Sequence, residues 1–532
     1  MQIKMLKINN HLCLRDFEIT FNIVDGGSST ILIGENGTGK TTMLKAILDI
    51  IMSFDSIRCA KNVQYDYHIE YEYAQKDIVI DKTNDNYSIS VDGELYRGKI
   101  ATINAVLANN IRIFPERIIA FYSGNSNKFL EEIKKNNSQY EKNWKKEFKK
   151  YTDSLFTAEV IRLNSKKRKY IYCDEDYVSI YLCSILAGND SYEKIKLQNE
   201  CGFMSIDYVD MALTMDDADT RFADHFTQGV RYDSLKKLEE TVSYIDERFI
   251  NAFRRHGQWH FKSKTAYFCI NGGFIEELKI DSISIFEFFE KLKIFYKAKY
   301  VVHVRSRDAV IADFNMSEGQ RQLIKILGML GVCKSEDCLV LMDEPDAHMN
   351  PKWKYDIKET IDDCLKSAIN TQAIIATHDP LVINGVPKEY IRIFTHNEAV
   401  RQNNSFHITQ VIEPTEDTAG MGIDGLLQSQ YYRMLTSYDK PTFGKFKERQ
   451  QLYIKLINNE ISSEEKMRLK QLTKELGALP KAYTTIDFLY DDFIKVYRNS
   501  PLYHREYLSF DELDRRRAEI DEIINALYEE QI

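Results

Sequence analysis

Residues 34–42 read GENGTGKTT, from Gly34 to Thr42. The stretch fits G-x-x-x-x-G-K-[ST] at every required position. It follows STILIG, an apolar run that reads as a strand. It precedes Thr42–Met52, where Met43, Leu44, Ile47, Leu48 and Ile51 fall on one face of a helix. Strand, glycine-rich turn and helix is the setting in which this pattern holds phosphate. Gly34, Gly37 and Gly39 let the backbone curl so that N–H groups face an anion, and the helix start adds its positive dipole end. Lys40 brings a full charge to the outer phosphates, and Thr41 offers a hydroxyl to Mg²⁺. Asn36, Gly37, Thr38, Gly39, Lys40, Thr41 and Thr42 are therefore the expected ATP-binding set on this side.

The rest of the nucleotide chemistry lies far downstream, in MSEGQRQLIKIL (316–327), LVLMDEPDAH (339–348) and IIATHDP (374–380). LVLMDE places Asp343 and Glu344 at the end of an apolar strand. Asp343 is the expected Mg²⁺ ligand, and Glu344 the general base for the attacking water. IIATH ends a second apolar strand at His378, whose imidazole can contact a γ-phosphate and orient that water. In MSEGQ, Ser317 is a good N-cap and Gln320 can complete a capping box. The helix start with Ser317, Gly319 and Gln320 is then a second anion receptor. One chain thus carries two receptors for one triphosphate. Two chains packed head to tail would bring the receptor of each onto the phosphate loop of the other, giving composite sites by two-fold symmetry.

The bulk numbers frame this reading. A chain of 532 residues is too long for one core, and two to four domains or lobes are expected. Hydrophobic content of 44% and charged content of 28% are those of a globular protein. A net charge of −9 excludes a protein that coats DNA through overall positive charge, so nucleic-acid contact needs a local patch. Two basic stretches qualify: KKNNSQYEKNWKKEFKKY (134–151), and RLNSKKRKY with Arg162, Lys166, Lys167, Arg168 and Lys169. None of the nine cysteines pairs as C-x-x-C, which points to free thiols in a reducing compartment. The first residues alternate like a strand, and no window holds about 20 apolar residues. A cytoplasmic protein without a membrane partner is expected.

Strand-like runs (IKMLKI, FEITFNI, HIEYEY, DIVIDK, YSISVDG, RIIAFYSG) fill the first 124 residues. Lysine- and aromatic-rich helical stretches dominate 125–299. Strand and helix alternate again over 300–425, where IRIFTHN and SFHITQV can pair as a hairpin. Residues 426–532 are again helical, with a capping box at Ser462 and Glu465 and a stop at Gly477. The expected fold is α/β, and the order of its motifs resembles an ABC-type P-loop ATPase head, here split by a mainly helical insertion and followed by a helical C-terminal extension.

Phosphate loop, long insertion, MSEGQ, LMDEP and ATHDP, in that order, resemble the ATPase heads of the Rad50, SMC and OLD-like group. The resemblance covers roughly 1–124 and 300–415. It implies that PDAHMNP (345–351) is the loop at the dimer seam, with Asn350 near it. The group's Q-loop glutamine has no match; FYSGNSN offers Ser123, Asn125 and Asn127 instead. The insertion is too short and irregular for coiled-coil arms, and the tail lacks the acidic strand motif of an OLD-type nuclease. GMGIDGLLQSQYYRMLTSYDK and FKERQQLYIKL, after ATHDP, resemble the PtuA-type ATPases of Septu anti-phage systems. That resemblance implies a homodimer or higher even oligomer, an HNH nuclease partner of the PtuB type, and, in the retron-associated branch, a reverse transcriptase with its msDNA. Two other readings remain open from sequence: a self-contained effector nuclease, and a DNA-repair or DNA-clamping ATPase.

Overall fold

A computed structural model describes residues 1–22, 28–55, 57–107, 112–123, 129–152, 168–188, 191–214, 242, 245, 247–249, 258–262, 265–335, 337–368, 370–396, 408–434, 438–457, 460–477, 515 and 518. Its strands, numbered in chain order, form three sheets. β1 (Gln2–Asn9), β2 (Phe17–Thr20), β4 (Asp66–Tyr73), β5 (Lys76–Thr83), β6 (Asn86–Val91) and β7 (Glu94–Gly98) make an antiparallel sheet in the order β2-β1-β4-β5-β6-β7. The alternating sequence DYHIEYEY buries every second residue, as a sheet with one covered face requires.

The central sheet is built from β3 (Ser28–Gly34), β8 (Arg117–Tyr122), β9 (Tyr170–Tyr172), β15 (Cys338–Asp343), β16 (Gln372–Ala376), β17 (Ile391–His396) and β18 (Thr409–Ile412). Its order is β18-β17-β3-β16-β15-β8-β9, parallel except for the β17–β18 hairpin. β3, β15 and β16 are buried throughout, which is why they read as unbroken apolar runs. Alternate side chains feed two cores. Leu32, Leu339, Leu341 and Ile374 join the helix Lys40–Met52 and β1–β6 on one face. Ile31, Ile33, Val340, Met342 and Ile375 join the helices Val178–Ala187, Ser282–Tyr296 and Glu318–Val332 on the other.

The insertion contributes helices, Leu130–Thr152 first among them, but also strands. β10 (Phe203–Thr214), β11 (Gln258–Lys262) and β12 (Thr265–Asn271) combine with β13 (Lys299–Ser306) and β14 (Val310–Ala312) in an antiparallel sheet ordered β11-β12-β10-β13-β14. The signal was the alternation in FMSIDYVDMALT, which lysine-rich neighbours obscured.

Met1–Leu426 with Gln430–Tyr432 form one compact unit, and Leu427–Ser429 with Arg433–Ile532 a second. In the second unit the helices Lys440–Ile457 and Ser463–Gly477 pack through Leu452, Leu469 and Leu472. The capping box at Ser462 and Glu465 forms in both directions, at 3.2 and 2.9 Å. No helix among the described residues is long and apolar enough to cross a membrane.

Candidate nucleotide site

One line of strand register sets the site. Tyr122, Asp343, Ala376 and Leu32 are successive partners across β8, β15, β16 and β3. The residues that leave these strands, Ser123, Glu344, His378 and the loop after Gly34, therefore emerge on one carboxyl edge, where open α/β sheets bind ligands.

Gly37 and Gly39 have φ of +84° and +97°, the left-handed region that turns successive N–H groups into the loop. At Gly39 a Cβ would also lie 2.6 Å from Thr409 Oγ1 and 2.9 Å from Cys13 Sγ, so only glycine fits. Thr38, 1% exposed, receives a hydrogen bond on its carbonyl from Thr409 Oγ1 at 2.8 Å and so anchors the loop to β18. The glycine-rich motif gives no hint of Thr409, which comes from β18, far along the chain. Asn36 and Thr42 flank the turn and the first helical turn.

Lys40 is 7% exposed and folds back onto its own loop, donating to the carbonyls of Gly34 at 2.6 Å and Glu35 at 3.0 Å. Burial lowers its pKa, against the raising influence of Asp343, Glu344 and Glu35. Thr41 Oγ1 donates to Asp343 Oδ2 at 2.6 Å. A hydroxyl and a buried carboxylate converging at this distance are the oxygen donors a hard divalent cation takes, so the residues fit Mg²⁺.

Glu344 has φ +53°, uncommon for a residue with a side chain and a form of backbone strain found at functional sites. The position is fixed from three sides. Its N–H donates to Ala376 O at 2.8 Å, and its carbonyl accepts from Ser123 Oγ at 2.5 Å and from Ala347 N at 3.2 Å. The side chain then meets His378, with Nδ1 and Oε1 3.0 Å apart. Ser123 N also donates to Asp343 O at 3.3 Å, so Ser123 braces both carboxylate residues through their backbone. Asn125 and Asn127 lie outside the described residues.

Ser317, Gly319 and Gln320 stand elsewhere. The capping box forms as expected: Gln320 N donates to Ser317 Oγ at 3.3 Å, and Ser317 N to Gln320 Oε1 at 3.0 Å. The helix Glu318–Val332 packs into the core on the face of the sheet opposite the helix Lys40–Met52. Among the described residues no hydrogen bond or ion pair joins it to the phosphate loop. It is tied to the loop after Glu344 instead. Gln322 Nε2 donates to Pro345 O at 2.9 Å, and a Cβ at Gly319 would lie 3.0 Å from His348 O. Asn350 caps the next helix, accepting from Trp353 N at 2.9 Å.

The basic stretch RLNSKKRKY divides. Arg162, Lys166 and Lys167 lie outside the described residues. Arg168 requires a correction, because it is 8% exposed and its guanidinium is spent inside the fold. It donates to Tyr177 Oη at 2.6 Å and Glu290 at 3.3 Å, and also pairs with Glu141. A side chain so enclosed cannot reach a nucleic-acid phosphate. Lys169 is paired with Asp55 at 2.6 Å. Replacing Arg168 with alanine leaves the buried Glu290 without its cation and should cost about 3–5 kcal/mol of stability. A urea midpoint equal to that of the unmutated chain would contradict this.

Comparison with known proteins gives a consistent picture. Residues 29–384 match the family profile described as "AAA domain, putative AbiEii toxin, Type IV TA system". The Septu protein PtuA of Bacillus mycoides (strain KBAB4) is 30% identical over 150 residues, 28% of this chain and 19% of that protein. The Retron Vc95 probable ATPase of Vibrio cholerae serotype O1 biovar El Tor is 32% identical over 94 residues, 16% of this chain and 18% of that protein. Each match thus spans under a fifth of the relative's length. Among solved structures, the Smc head domain with an extended coiled coil bound to the C-terminal domain of ScpA, from Pyrococcus furiosus, aligns at a TM-score of 0.33 and 13% identity. That alignment covers 77% of this chain and 96% of that one. The family profile runs from the strand that delivers the phosphate loop to beyond His378, more than half of the sequence, and the chain therefore belongs to this AAA domain family.

Proposed function

We propose that this chain is the ATP-binding and ATP-hydrolysing subunit of a bacterial anti-phage defence complex. It dimerises through composite ATP sites and gates an HNH nuclease supplied by a PtuB-like subunit, with a retron reverse transcriptase and its msDNA as further partners. The observation that carries the ATP reading is the meeting of Thr41 with Asp343, and of Glu344 with His378, at one sheet edge. The similarity to the Septu and retron ATPases supports the defence role, and the partner assignments follow from the resemblance of the sequence to PtuA-type ATPases.

Lys40 would exchange its loop carbonyls for the outer phosphates of ATP, and the loop N–H groups would hold the remaining oxygens. Thr41 and Asp343 would hold Mg²⁺, which supplies charge neutralisation at the phosphates. Glu344 would take a proton from the attacking water at its carboxylate, and His378 would keep that carboxylate in place. The separation of Ser317 from the phosphate loop supports the head-to-tail dimer. So do two uncovered apolar side chains: Leu12, 71% exposed in the turn beside the loop, and Phe314, 62% exposed just before Ser317. The working divisions are an ATPase lobe at 1–124, an insertion at 125–299, a second lobe at 300–425 and an extension at 426–532.

Lys40→Ala tests the site. Losing one charge-assisted contact should weaken ATP binding by about 10- to 100-fold. Calorimetric titration that returns the parental affinity would remove the phosphate loop from the reading.

A further inference from the structure

One helix of the insertion, Tyr192–Cys201, packs beside the helix Pro351–Leu365, which follows the loop 345–351. Ser191 caps its start, accepting from Lys194 N, and Gly202 ends it at φ +71°. Glu200 therefore lies in the last turn, where the helix dipole disfavours a carboxylate. Three donors offset this. Trp353 Nε1 donates to Glu200 Oε2 at 2.8 Å, Lys352 Nζ lies 3.4 Å from the same oxygen, and Lys196 Nζ lies 3.6 Å from Oε1. The Glu200 side chain is 14% exposed. Burial by itself would raise its pKa, but the Trp353 hydrogen bond and the two lysines hold it below the ordinary carboxylate value. It meets the indole as a carboxylate at neutral pH, which makes the hydrogen bond charge-assisted.

Trp353 carries this contact to the Ser317 helix. Its backbone N–H goes to Asn350 and its indole N–H to Glu200, so main chain and ring are both held. Its Cζ3 would stand 3.5 Å from a Cβ at Gly319, an ordinary contact distance. Leu323 and Ile326 of the helix Glu318–Val332 and Met349 of the loop 345–351 border the same crevice as the ring. The first turn of the Ser317 helix thus rests on the Trp353 ring, and a carboxylate of the insertion fixes that ring. Among the described residues neither Glu200 nor Trp353 bonds to the phosphate loop.

We propose that Glu200 is a positioning residue for the second receptor. By holding the Trp353 indole it keeps Ser317 and Gly319 aligned for the ATP bound by the partner chain, and it makes the insertion a control element of turnover. The inference rests on the ATPase reading and on the site shared between chains.

The test compares the full unmutated chain with Glu200→Leu, Glu200→Gln, Trp353→Phe and the Glu200→Leu, Trp353→Phe double variant. Leucine keeps the bulk but cannot accept the indole N–H, glutamine still can, and phenylalanine keeps a ring without the N–H. Turnover at saturating ATP should fall about tenfold in Glu200→Leu and in Trp353→Phe, the worth of one hydrogen bond to a charged group. The double variant should fall no further, because both changes remove one interaction. Glu200→Gln should keep most of the parental turnover. ATP affinity by calorimetry should stay parental in all four, because the phosphate loop is untouched. Parental turnover in Glu200→Leu, additive losses in the double variant, an equal loss in Glu200→Gln or a matching loss of ATP affinity would each overturn the proposal. If Glu200→Leu fails to fold by circular dichroism, Trp353→Phe and Glu200→Gln decide. An unmutated chain that shows no turnover sinks the hydrolysis reading and this inference with it, whereas turnover in the unmutated chain leaves the variants to judge Glu200 alone.

Discussion

Glu344→Gln is expected to lower ATP turnover by about 10²- to 10⁴-fold, the usual contribution of a general base. The amide keeps the shape of the carboxylate but cannot take the proton of water. The backbone contacts that fix this residue, from Ser123 and to Ala376, do not involve the changed atoms. ATP binding should therefore survive, because Lys40 and Thr41 are untouched, and closed dimers should accumulate in the presence of ATP. Phosphate release and light scattering on the same sample read both effects. Turnover at the parental rate would show that Glu344 is not the base.

The second large effect is expected if, as proposed, the site is divided between two chains. Take one chain with Lys40→Ala and another with Ser317→Arg, where the arginine blocks the second receptor by bulk. Each alone should be inactive, because both composite sites of its homodimer carry one damaged half. Mixed, the two chains form heterodimers in which both lesions fall in the same composite site, leaving the other intact. With about half of the dimers mixed and one good site in each, recovery reaches about a quarter of the parental rate if sites fire independently. If mixed dimers form but show no activity, a third mixture decides between strict coupling and a wrong arrangement. Unmutated chain paired with Lys40→Ala also has one good site per mixed dimer. With the contribution of the unmutated homodimers subtracted, strict coupling predicts that these dimers are silent as well. Activity there, without recovery in the two-variant mixture, would sink the shared site.

The local parts of this site were legible because each is a short-range device. GENGTGKTT declares its turn through glycines with no side chain to clash, and Gly37 and Gly39 indeed adopt positive φ. MSEGQ announces a capping box, a matter of residues three apart, and both of its hydrogen bonds form. CLVLMD and QAIIA are apolar throughout because strands covered on both faces have no solvent side. The β17–β18 hairpin was readable for the same kind of reason, two β-rich runs close in sequence.

What the sequence alone determined is thus the set of local devices: where the chain turns, where the capped helix starts, and which strands are buried. Strand order and register belong to the tertiary structure. Only they bring Ser123, Glu344 and His378 to one edge, set Thr409 against the phosphate loop, and put the Ser317 helix on the opposite face from the loop helix. The same is true of Arg168. In sequence it is one of five clustered cations, and solvation is the default for such a run. Its partners Glu141, Tyr177 and Glu290 come from three separate segments, and long-range packing turns a surface charge into a buried one. A pattern of neighbours records local conformation, but the solvent exposure of a charge depends on what the rest of the chain folds over it.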